Sequence, residues 1–253
     1  APEAGGDESP HPAAEITLRS GFQYGPVDGF VQTPHGGNPG SSSHDRPTLD
    51  ELDIQDADFY DAVASVQWQH LRLYAGYHPI SLDGHSTLSQ SLVSQNVTFP
   101  AGTRVHSQID LNWLSAGAGW NFVFADHRLE LIPKAEFALL DFSYNLSGGG
   151  QSADRSYTQG CVRLGFESRY RFNRVVSLSL DAGDSVPVSD MPQIANIAGT
   201  IEISLLPSCK RVRPTLFLGA GAQRIEYEDN QKLPNLFRVD FGPFVTTGLA
   251  ISF

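Results

Sequence analysis

The chain has 253 residues, 40% of them hydrophobic and only 18% charged, with a net charge of −11. That acidic balance excludes a general nucleic-acid binder, which needs a basic face, and no stretch reaches the roughly 18 consecutive apolar residues of a membrane-spanning helix. The 24 Gly and 16 Pro gather between apolar stretches, which favours strands and turns over helices in a single all-β domain.

Residues 1–14, with Pro2, Pro10 and Pro12 among Gly and acidic neighbours, read as a flexible leader that buries little apolar surface. The opening at Ala1, without a basic and apolar signal segment, is how a secreted chain looks after processing. From residue 15 the period becomes two: Ile16, Leu18, Phe22 and Tyr24 alternate with Glu15, Thr17, Arg19 and Gln23. The same pattern predicts strands over 15–24, 57–68, 71–82, 104–124, 128–146, 155–172, 174–187, 196–206, 214–227 and 237–253. Most are near the 9 to 11 residues, roughly, that a tilted strand needs to cross a bilayer.

Long polar connections (25–56, 83–103, 147–154, 188–195, 228–236) alternate with tight turns near Gln69 and His70, Ala125 to His127, Asn173, and Pro207 to Arg213. A membrane barrel predicts this asymmetry, with short periplasmic turns and long external loops. The expected fold is therefore an all-β, antiparallel up-and-down transmembrane β-barrel of about ten strands over 15–253, with a long first extracellular loop at 25–56. Eight strands is the alternative, with the short seventh and eighth segments assigned to an elaborated loop. An even number places both termini in the periplasm. Trp68, Trp120, Phe122, Phe124, Tyr170 and Phe172 gather near the short-turn ends, as an interfacial aromatic girdle would.

In the last segment Phe237, Val239, Phe241, Pro243, Val245, Thr247, Leu249, Ile251 and Phe253 fall on one face, with Arg238 and Asp240 on the other. Its end, with Phe241, Leu249, Ile251 and the terminal Phe253, resembles the carboxy-terminal assembly signal of Gram-negative outer-membrane β-barrel proteins. The resemblance implies an outer-membrane location, contact with membrane lipid and lipopolysaccharide, and insertion by the barrel-assembly machinery.

With the apolar face toward lipid, the opposite face carries Arg19, Arg72, Lys134, Arg163, Arg169, Arg171 and Arg238 against Asp61, Asp110, Glu130, Glu136, Glu167, Asp181, Glu202 and Asp240. Near-cancelling charges in a narrow lumen point to a paired network that plugs it. The favoured function is a structural or binding barrel acting through its extracellular loops or an envelope protein partner. A narrow pore for small solutes is the second reading and a rim hydrolase the third.

Other signals are weaker. Thr48 and Glu51 have capping-box spacing and predict a short helix in the first loop. Nearby acidic residues lack the Gly and spacing of a calcium loop, and nothing in the sequence marks a metal or cofactor site. Asp56, Asp58, Asp83 and His85, with His78 and His106 close by, are similar in type to the Asp pair and Asp/His pair of the ten-stranded omptin proteases. Adjacent strands are the wrong arrangement for pairs that face each other across a mouth, so no catalytic role is transferred. Lipid A deacylases need a Ser and His fixed on an apolar strand face, which the sequence lacks along with a Gly-Xaa-Ser-Xaa-Gly elbow. His70 and His127 are expected in exposed turns, and Asn96-Val97-Thr98 and Asn145-Leu146-Ser147 are accidental glycosylation patterns. Gly148 to Gly150 form a flexible loop tip, and Cys161 and Cys209, far apart in the barrel, are expected as free thiols.

Overall fold

A computed structural model describes residues 14–33, 46–125, 128–207, 212–230 and 234–253. Residues 1–13 of the leader, Cys209, His127 and parts of four predicted connections lie outside the described residues. The strands are β1 (Glu15–Gln32), β2 (Asp56–Trp68), β3 (Leu71–His78), β4 (Ser81–Thr87), β5 (Leu92–Ser94), β6 (Val97–Phe99), β7 (Arg104–Trp120), β8 (Phe122–Phe124), β9 (Leu129–Gly148), β10 (Gln151–Arg171), β11 (Val176–Ser185), β12 (Gln193–Ser204), β13 (Arg213–Glu228) and β14 (Leu236–Ser252). No helix occurs among the described residues.

Twelve of these strands form one antiparallel sheet, and β5 and β6 form a separate hairpin. Within the sheet, β3 and β4 pair with β7 in one continuous register, His78 against Trp113 and Ser81 against Asp110. They are one stave of the barrel, interrupted where Pro79 has no N–H to give the ladder. In the same way β7 and β8 lie in register along β9. Merging each pair leaves ten staves, and pairing of β1 with β14 closes the sheet. The short β11 and β12 are staves between β10 and β13, so the barrel has ten strands and not the alternative eight.

Polarity inverts along the barrel axis. Toward the short-turn end, the outer surface is apolar: Ile16, Leu18, Leu73, Leu114, Leu131, Phe137, Leu164, Ile201, Leu218 and Leu249 are all exposed. Toward the long-loop end, the outward positions become Asp58, Asp83, His106, Asp110, Asp141, Asn145, Ser156, Arg224 and Asp240, while the inward ones are buried and apolar: Val27, Phe59, Leu82, Ile109, Leu140, Phe142, Tyr144, Ile225, Phe237 and Val239. Each half therefore has its own hydrophobic face, one outside and one inside.

In β14 the expected single face does not exist. Phe241 pairs with Gln223 and Phe244 with Gly221, so the two residues Gly242 and Pro243 stand opposite Ala222 alone. This β-bulge adds one residue and reverses which way the following side chains point. Phe237, Val239 and Phe241 turn inward with Phe244 and Thr246, all buried, while Val245, Leu249 and Phe253 turn outward. Of the proposed assembly-signal residues, Leu249, Ile251 and Phe253 share the outer face, and Phe241 lies in the core.

The long connections also differ from expectation. Residues 147–154 are not a loop: β9 and β10 stay paired up to Gly148 and Gln151, and the chain reverses through Gly149 and Gly150. Their φ values of 58° and 79° are the left-handed conformations that a two-residue hairpin matched to strand twist requires. The capping box forms, with the Glu51 backbone N–H donating to Thr48 Oγ1 at 3.1 Å and the Thr48 N–H to Glu51 Oε2 at 2.9 Å. It closes only a turn over residues 49–53, not the predicted helix, because Asp53 takes a positive φ of 61°. That turn places Leu49, Leu52 and Ile54 in the core. Leu52 O approaches β4 so closely that a Cβ at Gly84 would lie 2.1 Å from it.

Deleting Pro243 removes the extra residue and must turn one half of β14 inside out. The expected outcome is loss of the folded, heat-modifiable band on semi-native gels, whereas Pro243→Ala, which keeps the residue count, retains it.

Candidate functional site

The lumen is built in two layers. Toward the short-turn end, alternate residues of nearly every strand send charged side chains inward around a cavity of about 500 Å³. Glu202 of β12 is the most connected: Arg19 Nη1 lies 3.2 Å from its Oε1 and Arg169 Nε 3.0 Å from its Oε2, and Ser179 donates to it at 2.9 Å. Arg72 reaches Glu167 at 2.9 Å and Arg171 reaches Glu130 at 2.8 Å, while Lys134 pairs with Asp181. Gln23 donates to Asp61 at 3.1 Å.

The deepest pair is Arg163 with Glu136, whose side chains are 3% and 6% exposed. Arg163 also donates to Ile194 O at 3.0 Å and to Asn196 Oδ1, and Asn196 in turn donates to Asp181 at 3.0 Å. Its guanidinium lies 4.8 Å from the Trp113 ring centroid, and the His78 ring stacks on Trp113 at 3.8 Å. Continuous hydrogen bonding lets two opposite charges stay at this depth, since desolvation of an isolated ion would cost several kcal/mol.

Above this pair the lumen is apolar. Phe142 stacks on Phe237 at 4.6 Å and on Tyr157 at 4.7 Å, Tyr157 meets Tyr227 at 4.8 Å, and Phe59 meets Phe241 at 5.3 Å. Leu49, Leu52 and Ile54 from the first long connection and Leu92 and Phe99 from the β5–β6 hairpin join the same core. A buried hydrogen bond between Thr33 and Ser94, 2.9 Å long, ties the two connections together.

Arg19, Asp61, Arg72, Lys134, Glu136, Arg163, Glu167, Arg169, Asp181 and Glu202 therefore line one cavity. Arg171 lines it too and holds the buried Glu130 beside it, whereas three residues expected on the inner face point outward. The β14 bulge turns Arg238 and Asp240 outward, where Asp240 Oδ2 lies 2.7 Å from Arg238 Nε and its Oδ1 accepts from Arg224. Asp110 is outward because β7 exchanges its apolar phase: Leu111 and Trp113 are buried inward, and Leu114 is exposed. Its carboxylate accepts from Ser81 at 2.7 Å and Ser143 at 3.0 Å. Sequence reasoning missed Glu15 and Arg213, a pair within the same lining, and the aromatic layer above it.

The omptin-like residue types are not gathered around a mouth: His78 is stacked within the lumen, whereas Asp58, Asp83 and His85 are exposed on the outer surface. Cys161 is buried with a free thiol, and the Asn96 turn pattern belongs to the β5–β6 reversal.

No protein-family model and no curated protein matches the sequence. Solved structures with a similar course of chain include the outer membrane protease OmpT from Escherichia coli, at 9% identity and a TM-score of 0.46, covering 96% of this chain and 98% of that one. Ail, the attachment invasion locus protein of Yersinia pestis in complex with the heparin analogue sucrose octasulfate, matches at 9% identity and 0.39, covering 94% and 99%. The outer membrane protein OprG from Pseudomonas aeruginosa matches at 10% identity and 0.36, covering 96% and 97%.

Arg163→Met alone leaves Glu136 buried without its partner, and the expected cost is about 3–5 kcal/mol. The double variant Arg163→Met with Glu136→Leu recovers most of that loss. Urea unfolding of the barrel in detergent micelles or lipid vesicles measures both.

Proposed function

We propose that this chain is an outer-membrane β-barrel, both termini periplasmic, that is closed to through-passage and serves as a structural or binding barrel. Two features support the location: the exposed apolar belt on all sides, and exposed aromatics such as Trp68, Trp120 and Phe172 at its short-turn edge. Lipid offers no hydrogen-bond partners, and a closed ladder needs none. The polar outer wall of the long-loop half then stands in the external medium.

The observation that carries the closed-barrel reading is the apolar layer in the outer half of the lumen. Leu140, Phe142, Tyr144, Ile225, Phe237 and Val239 are each at most 2% exposed, so these side chains offer no wet lining in the outer half of the lumen, which supports closure. The charged cavity below is a vestibule opening toward the periplasm. What the barrel binds is then met by its external wall and capped loops, or by an envelope protein partner below.

In planar bilayers the purified protein is expected to give no unitary current above baseline. Stable conductance steps would replace this reading with the narrow pore. Membrane placement is checked separately: Leu218, 60% exposed in the middle of the belt, should cost about 2–4 kcal/mol as Leu218→Arg in lipid vesicles. Ser156→Arg, exposed on the outward row of β10 above the belt and opposite Ser143, should change stability by no more than about 0.5 kcal/mol.

A further inference from the structure

On the outer wall above the belt, β4 and β7 place two imidazoles face to face. His85 and His106 are directly opposite in the ladder, and their rings stack with centroids 4.3 Å apart and planes 20° from parallel. Asp83, two residues before His85 and on the same face, touches both: its Oδ2 is 2.6 Å from His106 Nε2 and its Oδ1 is 3.3 Å from His85 Nδ1. One donor atom from each of the three lies within 4.8 Å of the others. Their side chains are 56%, 71% and 41% exposed for Asp83, His85 and His106, so none of them holds the core or the lipid-facing belt together.

We propose that Asp83, His85 and His106 form a surface binding site for a divalent transition-metal ion of the zinc class. Two imidazole nitrogens and one carboxylate suit Zn²⁺, Cu²⁺ or Ni²⁺, whereas Ca²⁺ and Mg²⁺ take oxygen ligands in larger number. Bonds near 2.0–2.1 Å put tetrahedral ligand atoms about 3.3 Å apart. Asp83 already stands at or inside that spacing from each ring, and the exposed rings have room to rotate for the remaining contact. The backbones are fixed by the β4–β7 ladder, and the carboxylate that bridges the rings holds them together before an ion arrives. Three protein ligands leave a coordination position for water or for a group presented by a partner. The site rests on this one ladder and is independent of the membrane assignment.

The test is titration of the metal-stripped full chain in detergent micelles with Zn²⁺ by calorimetry, with Cu²⁺ electron paramagnetic resonance as a second readout. The expected result is a Zn²⁺ site that survives His35→Gln with His44→Gln. His85→Gln or His106→Gln should weaken it by about tenfold or more. The Cu²⁺ spectrum should show two imidazole nitrogens in the unsubstituted chain and one fewer in either variant. Absence of Zn²⁺ uptake by the unsubstituted chain, or unchanged uptake when His85 and His106 are both replaced, would overturn the site. His85 and His106 are 71% and 41% exposed, and the unsubstituted chain's Cu²⁺ spectrum decides ligation without requiring any variant to fold.

Discussion

The constraint that organises this molecule is that one continuous wall has to meet two different surroundings along its length. A strand wall has two faces, and each level of the barrel needs one hydrophobic layer to offset the conformational entropy of ordering the chain. Where the outer face is apolar, as at Leu164, Leu218 and Leu249, the proposed membrane would supply the burial that stabilises the barrel, and the lumen is left to charges. Where the outer face is polar, as at Asp110, Asp141 and Arg224, the apolar layer has to be inside, and Phe142, Tyr144 and Phe237 form it. The two arrangements meet near Trp113, with Arg163 and His78 against its ring.

This accounts for the character of each layer. The charged layer is extensively paired, and pairing is most needed at its deepest point, where Arg163 is 3% exposed and cut off from bulk water. Glu202 shared by Arg19 and Arg169, and Arg163 anchored by Glu136, Asn196 and a backbone carbonyl, are the form such pairing takes. The apolar layer is instead a packing problem, met by stacked rings and by side chains that the long connections fold down from above. The described parts of those connections therefore belong to the core, tied by the Thr33–Ser94 hydrogen bond and by the turn that buries Leu49 and Leu52.

Strand number, approximate positions and closure were legible in the sequence because period-two alternation and turn chemistry are local. All ten predicted segments overlap staves of the barrel. The phase of the alternation was harder to read. In β7 apolar residues occupy odd positions up to Trp113 and even ones from Leu114, and in β9 the exchange falls at Leu139 and Leu140. Two adjacent large apolar residues within an otherwise alternating strand mark each exchange, and that mark was available. Assigning one phase to the whole strand put Asp110 in the lumen. In β14 the opposite happens: the sequence keeps its phase through Gly242 and Pro243 while the bulge reverses the backbone, which carries Arg238 and Asp240 outward. The extent of β9 and β10 was missed because Gly148 to Gly150 signal a turn without saying how far pairing extends on either side.

Strand length links these features to what the barrel presents. β9 and β10 have 20 and 21 residues, about twice the 9 to 11 needed to cross a bilayer, and at roughly 3.3 Å per residue the surplus forms a tall wall above the belt. A loop of the same length would present its side chains in many arrangements, whereas a paired wall fixes their spacing to the pleat. Cross-strand neighbours such as His85 and His106 are held opposite each other by backbone hydrogen bonds that have nothing to do with the side chains themselves. The apolar side chains that fill the long-loop half pack against that wall from inside. Filling the lumen and backing the polar outer wall are thus two consequences of the same packing.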